Sequence, residues 1–294
     1  MPAGKLSFDD PRAECEEIEY DDAPEPPNSD EEVARDWEST WVIEKPLDRS
    51  FSPLLVRIVG ADVVVGKSES KHVIYMIIIL TRGSENCDDC RIERRYSDFL
   101  ALHRLLMREC PGLAKGLSLP PKLLFQNYKQ KMIQRRREAL QEYLNQIVSN
   151  VSLRRTRQFV DFCCGKEKKE AVEFARQKLY AKSLEVFLKV LSIQSKLLGD
   201  LHAETALTHC HVTAIYTALP GNVAKTIHHG EKALEAMRKH TGSLYYVPLL
   251  RCLIKAYRAS EKNDPAEALQ RQLLSLTTSA REKSLLQLTC DSYS

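Results

Sequence analysis

The sequence predicts an α+β domain, with a three-stranded antiparallel sheet and a helical subdomain, followed by an all-α helical domain. Three observations carry that prediction. Runs that alternate in polarity or are rich in β-branched residues stand at 54–65, 71–82 and 91–96, and the rest reads helical. From Ser97 onward apolar residues recur at three- and four-residue spacing. The chain has 294 residues, 43% hydrophobic and 28% charged, enough for two compact units and a tail.

The acidic residues are gathered at the start. Residues 1–38 hold fourteen acids against three bases, a net −11, so with +3 overall the remainder carries +14. Together with Pro24, Pro26 and Pro27 this sets residues 1–50 apart as an acidic tail too poor in apolar groups for a core. Two roles stand open for it: folding back onto a basic site as an autoinhibitor, or solubilising the chain. Trp37, Trp41, Val42 and Ile43 form a short patch that either anchors the tail or touches a membrane. The basic remainder suits an anionic membrane surface. It would also suit nucleic acid, but no nucleic-acid motif accompanies the charge, so no such partner is expected.

No apolar run approaches the ~20 residues of a membrane span; the longest, Val73 to Leu80, has the length of a strand. The start has no basic-then-apolar leader. Nine cysteines at irregular spacing read as reduced thiols of a cytoplasmic chain. Cys87-Asp88-Asp89-Cys90 is a lone CxxC with no second ligand pair, and it reads as a hairpin loop. No metal and no cofactor are expected.

Taken in order, 54–65 is the first strand, with Gly60 a candidate bulge. His72 to Ile79 is the core of the second. Residues 91–96 are the third, leading into a helix from about Ser97 to Cys110 with Ser97 as its cap. A loop, 111–119, runs into Pro120-Pro121-Lys122-Leu123-Leu124-Phe125, where proline holds the backbone extended. Leu117, Leu119, Leu123, Leu124 and Phe125 are dense for a loop. They either pack inside or, with Leu123, Leu124 and Phe125 exposed, insert into a bilayer interface. A second helix begins near Asn127 and buries Ile133, Leu140, Leu144 and Ile147. A third, containing Phe159 and Phe162, closes the domain.

The organising stretch is Arg94-Arg95-Tyr96-Ser97-Asp98-Phe99, at the joint of strand and helix. Guanidinium groups pair bidentately with phosphate oxygens, and a tyrosine ring can lie against a sugar-like ring. The same six residues are also compatible with an ordinary basic strand end. Two stretches downstream decide between them: Leu119-Pro120-Pro121-Lys122, then Arg136-Arg137-Glu138-Ala139-Leu140-Gln141-Glu142-Tyr143-Leu144. This succession resembles the phox-homology (PX) domain, a phosphoinositide-binding module, over residues 51–165. The resemblance implies that Arg95 grips the inositol 3-phosphate, Tyr96 stacks on the ring, Lys122 faces the 1-phosphate and Arg136 bonds the 4- and 5-hydroxyls. It implies phosphatidylinositol 3-phosphate as first ligand, because a 4- or 5-phosphate would have to fit where Arg136 meets hydroxyls. The proline loop is shorter than the family's Pro-x-x-Pro, and Arg94 reads as a strand support or a carboxylate partner, with a general phosphate contact as the other reading. Ser97 carries a second reading besides the cap: a phosphate there would stand beside Arg95 and compete with the lipid.

Residues 166–285 contain three similar segments, 174–187, 221–234 and 263–269, each read as placing a small residue at a helix crossing. Ala181, Ala224 and Ala266 recur at 43 and 42 residues. This resembles degenerate tetratricopeptide repeats, helix pairs with a concave protein-binding face, although a plain helical bundle fits too. Residues 286–294 read as a tail. A PX domain followed at once by such a unit resembles a small subgroup of the sorting nexins, and Tyr245-Tyr246-Val247-Pro248-Leu249-Leu250 resembles it further. That implies a cytoplasmic, peripheral membrane protein of early endosomes that recruits protein cargo through its helical domain in protein transport. The alternative is a protein–protein scaffold with little phosphoinositide binding. His202, His209, His211 and the His228-His229 pair read as solvated or partly packed helix residues. No acid/base constellation, HExxH spacing or nucleophile elbow is present, so no enzyme is expected.

Overall fold

The computed structural model describes residues 54–65, 71–81, 90–122, 128–238, 240–276 and 283–293. The acidic tail, the Trp37–Ile43 patch and Leu123, Leu124 and Phe125 lie outside these residues.

Strands β1 (Leu54–Val65), β2 (Lys71–Thr81) and β3 (Arg91–Arg95) form one antiparallel sheet in the order β1-β2-β3. Alternation sets its faces: Val73, Tyr75, Ile77 and Ile79 turn into the core while their neighbours do not. The β1–β2 register shifts between Ile58 and Gly60, the bulge the glycine predicts. A Cβ at Gly60 would meet the Met76 methyl at 2.1 Å, so the site takes a glycine readily and a larger residue only if Met76 moves.

The helices that come next are α1 (Tyr96–Glu109), α2 (Pro111–Ala114), α3 (Gln130–Ser149), α4 (Val151–Arg154) and α5 (Arg157–Arg176). The expected loop 111–119 thus opens with a helical turn that has proline at its first position, where a missing N–H costs nothing. Asn150 and Thr156 cap α4 and α5 through their side-chain oxygens. Helix α3 buries Ile133, Leu140, Tyr143, Leu144 and Ile147. It is keyed to the sheet edge by Gln141, which accepts from Ile58 N–H (2.7 Å) and donates to the Val56 carbonyl (2.8 Å), as a neighbouring strand would.

Beyond these lie α6 (Tyr180–Leu197), α7 (Ala203–Ala218), α8 (Val223–Met237), α9 (Tyr246–Ala259), α10 (Asn263–Leu274) and α11 (Leu285–Asp291). Three expectations change here. The division at 165/166 falls inside α5, which runs unbroken from 157 to 176. The sheet's core is completed by Val190, Ile193 and Leu197 of α6, so the two halves share apolar packing. The residues read as a tail from 286 form α11: Ser284 and Gln287 make a reciprocal capping box, Leu285 and Thr289 are buried, and Arg176 donates to the Cys290 carbonyl (2.6 Å).

The alanines of the three similar segments also differ from expectation. Ala266 is buried, but Ala181 and Ala224 sit exposed in the first turns of α6 and α8. Close approach is made instead at Gly230, where a Cβ would meet Leu253 of α9 at 2.6 Å. Among the described residues no helix is long and apolar enough to cross a membrane.

Candidate functional site

The site forms where β3 ends and α1 begins. Period two turns Ile92 and Arg94 inward and leaves Arg95 exposed. Arg95 is also the residue that precedes the first helical turn, with φ −91° and ψ 165°. Its backbone N–H donates to Asp98 Oδ2 (2.7 Å), so Asp98 holds the helix start. Ser97 does not cap the helix. The helix begins one residue early, at Tyr96, and the carboxylate three residues past the cap position takes over that role. Ser97 lies exposed in the first turn.

Arg94, which is 2% exposed, is the charged residue buried under this joint. Its guanidinium donates twice to Glu167 of α5 (2.8 and 2.6 Å) and to the carbonyls of Phe162 (2.5 Å) and Glu93 (2.8 Å). Burial alone would lower its pKa. The hydrogen bonds and charge of Glu167 outweigh that and raise it. A charge removed from water here is kept because each nitrogen of the guanidinium finds an acceptor.

Tyr96 is partly buried against the sheet core, and its hydroxyl donates to the Pro120 carbonyl (2.6 Å). That bond fixes the proline loop to the joint, two residues before the exposed Lys122. Leu117 and Leu119 pack inward on the core, which accounts for part of the loop's apolar density. From α3, the Arg136 guanidinium lies over the Tyr96 ring, 4.9 Å from its centroid. It also faces the buried Tyr75 hydroxyl, whose pKa burial raises while Arg136 opposes the rise. The Tyr96 hydroxyl behaves alike, raised by burial and pulled back by Arg136 and Arg104.

Tyr96 and Arg136 therefore meet at one corner, the exposed Arg95 directly precedes Tyr96, and the loop that carries Lys122 is tied to the corner. The Tyr96 ring is covered by Arg136 rather than open. The corner offers guanidinium donors beside an aromatic face, the chemistry of a phosphorylated polyol.

Sequence reasoning missed Arg104, Lys166 and Glu167. Arg104 stands eight residues past Tyr96, a little over two turns along α1, and that spacing was available to find it. Lys166 and Glu167 reach the joint from about seventy residues away, and no local pattern announces such a pairing. Among the described residues no group of three or more His, Cys, Asp or Glu side chains is arranged to hold a metal ion.

Residues 84–163 match the PX domain family. Sorting nexin-20 of Bos taurus is 33% identical over 181 residues, 62% of this chain and 57% of that protein. Sorting nexin-20 of Rattus norvegicus is 29% identical over 238 residues, 81% of this chain and 75% of that protein. Sorting nexin-21 of Homo sapiens is 30% identical over 167 residues, 56% of this chain and 44% of that protein. The match thus spans little more than half of the bovine relative and less than half of the human one. The X-ray structure of a designed CISK-PX domain is 32% identical, with 97% of it and 37% of this chain covered at a TM-score of 0.32.

Proposed function

We propose, from the premise that the chain is a PX-domain protein of the sorting nexin-20 and -21 group, that it is a non-enzymatic adaptor in membrane trafficking. It docks on endosomal membranes by binding phosphatidylinositol 3-phosphate and recruits protein cargo through its helical half. One observation carries the lipid reading: the Arg136 guanidinium lies 4.9 Å from the centroid of the Tyr96 ring, and Tyr96 directly follows the exposed Arg95. Arg95 takes the 3-phosphate bidentately, a geometry its planar fork matches. Tyr96 supplies the face on which the inositol ring rests once Arg136 swings from the ring to the 4- and 5-hydroxyls. Lys122 takes the 1-phosphate on the glycerol side, and Leu123, Leu124 and Phe125 of the same loop enter the interface. The +14 of residues 39–294 adds attraction to anionic lipid, about 1 kcal/mol for each Lys or Arg near the surface.

Headgroup choice follows from Arg136. A 4- or 5-phosphate would have to fit where Arg136, once off the ring, meets the 4- and 5-hydroxyls. Ser97, exposed one helical position from Tyr96, is a phosphorylation switch under this reading. A Ser97→Asp chain is expected to bind vesicles more weakly than wild type.

The deciding experiment is vesicle co-sedimentation of wild type and Arg95→Ala across the phosphoinositide series at physiological salt. Selective binding to 3-phosphate vesicles, weakened at least about tenfold in the variant, is the expected result. Binding indifferent to headgroup and to the substitution would instead make the PX unit a protein–protein scaffold with little phosphoinositide binding.

A further inference from the structure

The lipid site does not end where the PX match ends. We infer that Lys166 and Glu167, on α5 beyond residue 163, are positioning residues for Arg95. The inference rests on the proposed phosphoinositide reading and deepens it. Arg95 presents its side chain to solvent, so its orientation depends on the backbone that carries it. That backbone is held from both flanks by α5. On one flank Arg94 is clamped by Glu167 through two hydrogen bonds in a buried setting. On the other, Asp98 Oδ2 accepts both the Arg95 N–H (2.7 Å) and the Lys166 ammonium (2.6 Å).

Lys166 has a second task that stems from charge. Asp98 places a carboxylate three residues from the arginine that must meet a phosphate. Left unpaired, it would draw the Arg95 guanidinium to itself and repel the incoming anion. The Lys166 ammonium engages that carboxylate, so the arginine is kept for the ligand. An arginine held ready in this way loses less freedom on binding, and preorganisation of this kind raises affinity without adding a contact. Lys168, two residues on from Lys166, pairs with Glu204 of α7, so the segment that positions the site is also tied into the helical half.

Lys166 is 53% exposed, so its replacement tests positioning without unfolding the chain. The experiment titrates the full-length protein with soluble inositol 1,3-bisphosphate and records thermal unfolding in parallel. Lys166→Ala, Lys166→Arg, Lys169→Ala and Arg95→Ala are compared with wild type. Lys169 is exposed on the same helix, so Lys169→Ala controls for loss of one positive charge. The expected result is binding weakened roughly three- to tenfold in Lys166→Ala, restored in Lys166→Arg and unchanged in Lys169→Ala, with the midpoint of unfolding the same in all three. Equal binding by Lys166→Ala and wild type, or equal losses in the two alanine variants, would overturn the inference while the lipid reading stands. Undiminished binding by Arg95→Ala would remove the lipid reading and the inference together.

Discussion

The two halves of the molecule bury their polar groups in opposite ways. Around α5 the buried groups are ions: Arg94 with Glu167 beneath the sheet, and Lys168, 4% exposed, with Glu204 at the start of α7. Deeper in the helical half they are neutral. His209 and His211 are each 2% exposed on α7, a helix enclosed along most of its length, and Thr208 and Thr213 donate to carbonyls one turn back. Burial drives both histidine pKa values down to about 3, with the charge of Lys168 adding to the effect on His211 and that of the nearby His229 on His209. The difference teaches where direction matters. An ion pair is sensitive to the geometry of both partners and costly when one is missing, so it fixes orientation. A hydroxyl bonded to its own helix only fills space.

The largest expected effect breaks the ionic side of that contrast. Glu167→Ala strands the Arg94 charge without its carboxylate and is expected to cost about 3–5 kcal/mol, read from urea unfolding. Arg94→Met combined with Glu167→Leu is expected to recover most of the loss in stability and, under the proposed lipid reading, none of the headgroup binding.

Acid should break the neutral side. The histidine pKa values are lower folded than unfolded, so the unfolded chain gains protons first and stability falls as pH drops through about 6.5. Between pH 7.5 and 5 each of His209 and His211 is expected to contribute about 2 kcal/mol of loss. Urea midpoints across that range check it, and His211→Phe should flatten part of the slope. Next in size is Gly230→Ala, whose methyl meets Leu253 and is expected to cost about 1–3 kcal/mol by thermal unfolding. The smallest is Tyr96→Phe. It removes one hydrogen bond, to the Pro120 carbonyl, and is expected to cost about 1 kcal/mol of stability by the same measurement.

The strands and the Gly60 bulge were legible because alternation is a local signal, and 54–65 was read to the residue. The paired arginines, the tyrosine and the second helix were legible as a motif. Their meeting at one corner was legible only through that resemblance, since no local pattern shows the docking of α3 through Gln141 that brings Arg136 to Tyr96. The helix cap was misread because Ser97 is a good capping type, whereas the helix starts early with Arg95 at the cap position, two residues before Ser97, and Asp98 serves it from the third helical position. Helix α11 was missed although Ser284 and Gln287 stand at capping-box spacing before an apolar pair, a signal that was there to use. Nothing in the sequence singled out Lys166, Glu167 or Lys168, because the residues that pair with them lie 36 to 73 positions away.

Helix α5 also makes the joint between the halves a matter of phase. An α-helix turns about 100° per residue, so Lys166, Glu167 and Lys168 reach Asp98, Arg94 and Glu204 only in one rotational setting. One residue added or removed between Phe162 and Lys166 would rotate all three away from their partners at once. The seam near residue 163 therefore tolerates changes of side chain far better than changes of length.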